Sequence, residues 1–238
     1  MKKLALLITA VLIFAVMVTG CKKKAPELSE VNVIKIGVFQ PMTGANASGG
    51  ELEVEGIKLA NELFPEVLGK KIELVIADNK SDKVEAANAA ERLVNKEQVT
   101  AIIGSWGSSL SMAAGPIIKG KVPAVACSAT NPLVTKGNDW YFRVCFLDPF
   151  QGQVMATYAV TKLNAKTACV IQEISNDYSV GLAKFFMDSF IKQTKNEKAI
   201  LAKPFNYNTG DNDFTAQVTT IAQLKPDVIF APGNYTES

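Results

Sequence analysis

Val33-Ile-Lys-Ile-Gly-Val-Phe39 runs directly into Gln40-Pro-Met-Thr-Gly-Ala-Asn-Ala-Ser-Gly-Gly50. The first stretch is a short β-rich apolar run, and the second is a loop built on Pro and Gly. Behind the loop, Leu52, Val54, Ile57, Leu59, Ala60 and Leu63 fall close to helical spacing. Strand, glycine-bearing loop and helix make one α/β unit, and the chain repeats it. Residues 71–77 read as a strand, and a helix follows through residue 94 with Asp82 placed as its N-cap. Residues 100–104 form a buried strand, 108–118 a helix and 122–126 another strand. The strands are near-continuous apolar runs, as expected of a parallel sheet covered by helices on both faces.

A further extended segment spans residues 141–146, and Asp148-Pro149 breaks it. The alternation then restarts: helix 151–163, strand 167–172, helix 179–194, strand 199–202, helix 213–223, strand 228–231. The fold class is therefore α/β, with two doubly wound parallel-sheet lobes in series. The first lobe is residues 33–145 and the second 146–238, with a crossover near residues 144–148. The chain stops just past a strand, where a helix is due. The expectation is the front portion of a longer protein, with an incomplete second lobe and marginal stability on its own.

The N-terminus carries a different message. Met1-Lys2-Lys3 is a positive start, residues 4–18 are an apolar run, and Val18-Thr19-Gly20-Cys21 follows. This is the three-part layout of a secretory signal. It resembles a bacterial lipobox, whose cysteine is acylated and becomes the mature N-terminus. The apolar run is short of the roughly 20 residues that span a bilayer, and Lys22-Lys23-Lys24 follow it. Residues 1–20 are thus read as a lipoprotein signal peptide, Cys21 as the lipidation site, and 21–32 as a tether. The expected location is the extracytoplasmic face of the cell membrane, held there by lipid.

Composition narrows the function. The formal net charge is +2, and removing Lys2 and Lys3 leaves 23 basic residues against 23 acidic. A nucleic-acid binder would show a basic excess. The chain has no histidine, which excludes Ser-His-Asp and Cys-His catalysis and the usual His-based zinc sites. Cys127, Cys145 and Cys169, like Cys21, have no C-x-x-C spacing, so they read as buried free thiols. No cofactor is expected. Gly115 to Lys121 partly mimics a phosphate loop, but Val122 stands where Ser or Thr is required, and the order is helix-to-strand.

Ligands of open α/β sheets bind beyond the carboxyl ends of the strands. One such loop is Gly104-Ser-Trp-Gly-Ser-Ser-Leu-Ser111. Ser108 and Ser109 sit where a helix starts, where free N–H groups favour an anion such as an α-carboxylate. A plain N-cap is the other reading of Ser108. A second loop is Cys127-Ser-Ala-Thr-Asn-Pro-Leu133. Its carbonyls suit an ammonium and the Thr130 hydroxyl suits a carboxylate, or the stretch is an Asn-Pro turn. A third holds Asp177 and Tyr178: the tyrosine is placed to close on a ligand and the aspartate to cap its helix.

At these loops the sequence resembles the leucine/isoleucine/valine-binding protein family of ABC transporters, the type I periplasmic-binding fold. The matching stretches are Ile34-Lys-Ile-Gly-Val38, Pro41-Met-Thr-Gly44, residues 104–116, Ser128-Ala-Thr-Asn-Pro132, Asp177-Tyr-Ser-Val-Gly-Leu182, Asp213-Phe-Thr215 and Pro232-Gly-Asn-Tyr-Thr-Glu237. They run in order over nearly all of the chain beyond the leader. The resemblance implies two lobes, joined by three crossovers, that close on an amino acid. It implies that Ser108 and Thr130 hold the α-carboxylate, with Ser109 beside them. Backbone at Ser128 and Ala129 would lie near the ammonium and carboxylate, and Tyr178 would reach in from the second lobe. Asn234 and Tyr235 stand where many relatives have Tyr-Tyr, and Gly49 stands where many have an aromatic. Both departures bear on the ligand side chain. The acid that grips the ammonium in such families comes later than this chain reaches.

The function expected is a non-enzymatic solute-binding lipoprotein that takes a branched-chain or related amino acid and delivers it to an ABC transporter permease. The alternative is a sensory ligand-binding domain on the same fold, for a small amide, carboxylate or amino acid. A surface enzyme is disfavoured by the absence of histidine and of an acid/base carboxylate pair.

Overall fold

The computed structural model describes residues 32–234. The leader, Cys21 and Tyr235 lie outside the described residues.

The first sheet has six strands: β1 (Val33–Gln40), β2 (Glu66–Val67), β3 (Lys70–Asp78), β4 (Ala101–Gly104), β5 (Ala124–Ala126) and β6 (Tyr141–Arg143), in the spatial order β2-β3-β1-β4-β5-β6. All neighbours are parallel except β2 and β3, a small antiparallel hairpin that the sequence reading left out. The register runs from Val33 opposite Lys71 to Gln40 opposite Asp78 on one side of β1, and from Ile36 opposite Ala101 on the other. Helices α1 (Ala47–Leu63), α2 (Lys83–Glu91) and α3 (Ser108–Ile118) follow β1, β3 and β4. Asp82 caps α2 as expected: its carboxylate accepts from the N–H groups of Val84 and Glu85 at 2.8 and 2.9 Å. A π turn, Arg92–Lys96, closes that helix.

The core of this sheet is Phe39, Leu93, Ile102, Leu110, Ile118, Val122 and Tyr141, all nearly solvent-free. Burying a side chain of this size contributes roughly 1.5–3 kcal/mol, so the apolar strand pattern fixes which loops gather at the sheet's carboxyl edge.

The second sheet holds β7 (Ala168–Glu173), β8 (Phe205–Tyr207) and β9 (Val228–Phe230), all parallel, in the order β8-β7-β9. Its helices are α4 (Asp148–Lys162), α5 (Asp177–Thr194) and α6 (Thr215–Leu224). Helix α4 packs on α5 at close range, because a Cβ at Gly152 would lie 2.8 Å from the Phe185 backbone. Phe186 stacks on Phe230, with ring centroids 4.1 Å apart, at the centre of this core.

One strand was misplaced from sequence. Residues 199–202 make only a single bridge, Ala168 to Ile200. Pro204 has no N–H to continue the ladder, and pairing resumes at Phe205 opposite Ile171. The extended run ends before Asp148-Pro149, as expected, and the pair opens α4 three residues earlier than the expected start at 151, with Pro in the first turn where its missing N–H costs nothing.

Candidate functional site

The carboxyl ends of both sheets face one cleft of about 820 Å³. The first lobe supplies Asn46, Lys83, Trp106, Ser108, Ser109, Ser128 and Thr130. The second supplies Gln151, Glu173, Tyr178, Thr209 and Asn234, and Cys145 and Phe146 line the crossover. Every one of the supplying loops follows a strand or opens a helix, as the α/β rule requires.

The loop after β1 is fixed by Asp78. Its carboxylate accepts from the N–H groups of Met42 and Thr43 and from the Thr43 hydroxyl, at 2.8, 3.3 and 2.7 Å. Desolvation pushes this carboxyl up, but those donors outweigh it and hold it below the ordinary range.

Helix α3 begins at Ser108, and its N-cap is Gly107 at φ +88°, with no side-chain cap. The open alternative for Ser108 is thereby resolved: it is the first helical residue and not the cap. The N-terminal amides of α3 are left to whatever enters the cleft, and the helix dipole favours an anion there. The Ser108 hydroxyl is 2 % exposed and accepts from the Asn131 N–H at 3.1 Å. Its own proton remains to be donated.

Thr130 lines the cleft at 7 % exposure, and its hydroxyl is buried without a hydrogen bond. It neighbours the buried Asp148 carboxyl closely enough to lower that group's pKa, although burial is the stronger influence and raises it. The geometry nevertheless satisfies neither Thr130 nor Asp148. A buried unsatisfied hydroxyl costs roughly 1–3 kcal/mol, so a polar group that meets Thr130 recovers that cost.

The remaining expected residues divide. Ser128 lines the cleft, but its hydroxyl donates to Glu53 at 2.5 Å. Ala129 is fully buried and does not line the cleft; its carbonyl accepts from Arg143 at 2.7 Å. Ser109 lines the cleft, and its hydroxyl accepts from the Asp177 N–H at 2.8 Å. Tyr178 lines it from the second lobe and accepts from Gln151 at 3.3 Å. Asn234 is there too, donating to Asn46 at 3.0 Å.

Asp177 requires a correction. The cap of α5 is Asn176, whose side chain accepts from the Tyr178 N–H at 3.1 Å, because Asn176 has extended dihedrals and Asp177 is already helical. Asp177 reaches instead to the first lobe. Lys83 Nζ lies 2.9 Å from its carboxylate, and Asn131 donates to its carbonyl at 2.8 Å. Burial raises the Asp177 pKa, but the bonds from Lys83 and Ser109 win and hold it low. Three first-lobe residues thus grip one second-lobe residue.

Sequence reasoning missed a supporting network under the cleft. Gln40, fully buried, donates to Glu53 at 2.7 Å and accepts from the Trp106 N–H at 2.6 Å. Burial raises the Glu53 pKa, against hydrogen bonds from Ser128, Gln40 and Cys127. No motif announces a glutamate inside a helix that ties the end of β1 to the loop after β5. Glu173 was also missed. It is 3 % exposed in the cleft wall and is bonded by Asn176 at 2.7 Å and by Thr209.

The cysteines match expectation in part. Cys127, Cys145 and Cys169 are all free, yet only Cys169 is buried in a strand. Burial pushes the Cys127 thiol up to about 11, with the nearby Glu53 adding to the effect. Among the described residues no His/Cys/Asp/Glu group could hold a metal, and no helix is long and apolar enough to cross a membrane.

Two α/β lobes facing one cleft, its wall apolar with polar groups placed in it, define a solute-binding protein fold. The family described as periplasmic binding protein matches residues 33–235, and the chain belongs to it. It is 33% identical over 210 residues to an amino acid binding protein of Pseudomonas aeruginosa, a match covering 86% of this chain and 55% of that one. The leucine binding protein LivK of Thermotoga maritima has 44% identity and a TM-score of 0.79, over 83% of this chain and 55% of that one. The branched-chain amino acid transporter substrate binding protein LivJ of Streptococcus pneumoniae, solved in complex with isoleucine, has 34% identity and a TM-score of 0.76, over 85% and 57%. The chain thus spans about half the length of the relatives it matches.

Proposed function

We propose that this chain belongs to an extracytoplasmic solute-binding lipoprotein of an ABC transporter, anchored through Cys21, whose cleft takes a branched-chain or related amino acid. The observation that carries the proposal is the pairing of the uncapped α3 N-terminus with the unsatisfied Thr130 hydroxyl in one cleft wall. Together they form a receptor for a carboxylate. The α-carboxylate lies across the α3 amides, with Ser108 and Thr130 donating to it. Among the lining residues the carboxylates are Asp82 and Glu173, and buried Glu173 is the group to meet the ammonium. Tyr178 closes from the second lobe. The Ala129 carbonyl, held by Arg143, takes no part. Lobes 33–145 and 146–238 move about the short crossover between β6 and α4, and ligand favours the closed arrangement because both walls touch it only there.

The relatives' names support amino-acid binding, and the bound isoleucine supports the branched-chain class. The test is a thermal-shift and calorimetry screen of the full-length, unlipidated protein against the common amino acids. At about 100 times its dissociation constant a ligand adds about 2.7 kcal/mol. Stabilisation by leucine, isoleucine or valine is expected. A folded protein that none of the amino acids stabilises would overturn the reading. Incorporation of labelled fatty acid that disappears in Cys21→Ser tests the anchor.

A further inference from the structure

Gly49 and Gly50 stand side by side at the start of α1, and both are buried. Their reasons for being glycine differ. A Cβ at Gly50 would lie 2.0 Å from the Pro41 carbonyl oxygen, so the backbone itself forbids a side chain there. The three atoms nearest a Cβ at Gly49 all belong to the indole of Trp106, with Cε2 and Nε1 both at 2.5 Å. The space a side chain at 49 would occupy is filled by a ring from another loop.

The loop that carries the ring is held in place. The Trp106 backbone N–H donates to Gln40 at 2.6 Å, and Gln40 donates to Glu53 at 2.7 Å. Glu53 is four residues from Gly49, so both lie on the same face of α1. One face of one helix therefore clears room for the indole and anchors the loop that carries it. Trp106 also lines the cleft, where Leu110 and Phe146 give it apolar company. It sits two residues before Ser108, where the carboxylate receptor begins.

Resting on the amino-acid reading above, we propose that Trp106 is the wall against which the ligand's side chain packs, and that bare Gly49 sets how far the wall stands back. The pair fixes the size of side chain the cleft accepts. An indole face supplies a large rigid apolar surface without a charge, which suits an aliphatic side chain. Removing the ring deepens the cleft. Adding a methyl at 49 pushes the ring into it. The two changes act in opposite directions on ligand size, and the second acts only through the ring.

The experiment is calorimetric titration of the full-length protein with L-alanine, L-valine, L-leucine and L-phenylalanine. Four proteins are compared: unsubstituted, Trp106→Ala, Gly49→Ala and the double variant. Trp106→Ala is expected to weaken leucine at least tenfold and to raise phenylalanine relative to leucine at least tenfold. Gly49→Ala is expected to lower leucine relative to alanine by five- to tenfold. In the Trp106→Ala background Gly49→Ala is expected to change that ratio less than twofold, since its effect runs through the ring. An unchanged ligand order in Trp106→Ala, or an equal Gly49→Ala effect in both backgrounds, would overturn the inference and leave amino-acid binding intact. An unsubstituted protein that binds none of the four overturns both.

A second measurement covers a Trp106→Ala protein that fails to fold. The chain has two tryptophans, Trp106 and Trp140, and Trp140 does not line the cleft. In Trp140→Phe the emission of Trp106 is expected to shift, and its quenching by acrylamide to fall at least twofold, on saturation with leucine. Emission and quenching that do not respond to leucine while calorimetry records binding would overturn the inference.

Discussion

The two walls of the cleft are built differently. The first-lobe wall is tied to its own lobe: Asp78 fixes the loop after β1, Glu53 joins Gln40 and Ser128, and Ser108 bonds Asn131. The second-lobe wall has its own bonds around Glu173, but Asp177, between the lining residues Asn176 and Tyr178, is held by the first lobe. A wall held within its lobe is a preformed receptor. A residue that holds across the gap is a clasp. The difference suggests that chemistry resides in the first wall and closure in the second.

The strongest way to break this contrast is to loosen one lobe and leave the other. Phe186 is buried at the centre of the second core, and Phe186→Ala is expected to cost about 3–5 kcal/mol of stability. Denaturant unfolding followed by hydrogen exchange would show whether α4 and α5 lose protection while β1, β3 and β4 keep theirs. Equal loss in both lobes would mean that they fold as one unit.

A smaller effect is expected at the receptor. Thr130→Val keeps the shape but removes the hydroxyl, and about 1–3 kcal/mol of ligand affinity should go with it. Calorimetry should record a loss of roughly five- to a hundred-and-fortyfold, while the melting temperature without ligand holds or rises because an unsatisfied buried group has been removed. A lowered melting temperature with unchanged affinity would make Thr130 structural.

The clasp should matter less. Lys83 and Asp177 are about half and over a third exposed, and solvent screens such a pair to about 0–1 kcal/mol. Asp177→Ala also leaves the two backbone bonds in place. It is expected to raise the ligand off-rate a few-fold with little change in on-rate, as stopped-flow mixing would show.

Smallest of all is the dependence on pH, where Asp177 and Glu53 differ in sign. Asp177 titrates below its ordinary 3.8, so its contribution is complete above 3.8 and is lost as pH falls through the depressed value. Glu53 titrates above its ordinary 4.5, so folding favours its protonated form. Its contribution is complete below 4.5 and declines as pH rises through the raised value. Melting curves across the acid range should show the Asp177 loss disappear in Asp177→Asn and the Glu53 decline disappear in Glu53→Gln.

Much of this was legible in the chain. The start of α3 at Ser108, the Asp82 cap and the alternation of strand and helix follow from apolar period and capping chemistry, which are local. The signal for Thr130 and Tyr178 was local too, because loops after strands are where ligands bind in this architecture. Other features were not legible for a shared reason. Glu53 looked like one polar residue in an amphipathic helix, and its partners are 13 and 75 positions away. Asp177 fitted a cap until its neighbour Asn176 took the extended conformation. The strand expected at residues 199–202 had the right apolar content, and only pairing with β7 showed that it makes a single bridge and that the ladder resumes past Pro204.

The sequence by itself determined the α/β alternation, the family and most of the loops that meet at the cleft, because periodicity, capping and short motifs are written in neighbouring residues. Only the tertiary structure decided that Ala129 turns away to Arg143, that Asp177 clasps Lys83, and that Trp106 fills the space beside Gly49. Each of these depends on which distant groups compete for the same small volume or the same hydrogen bond, and that competition exists only once the chain is packed.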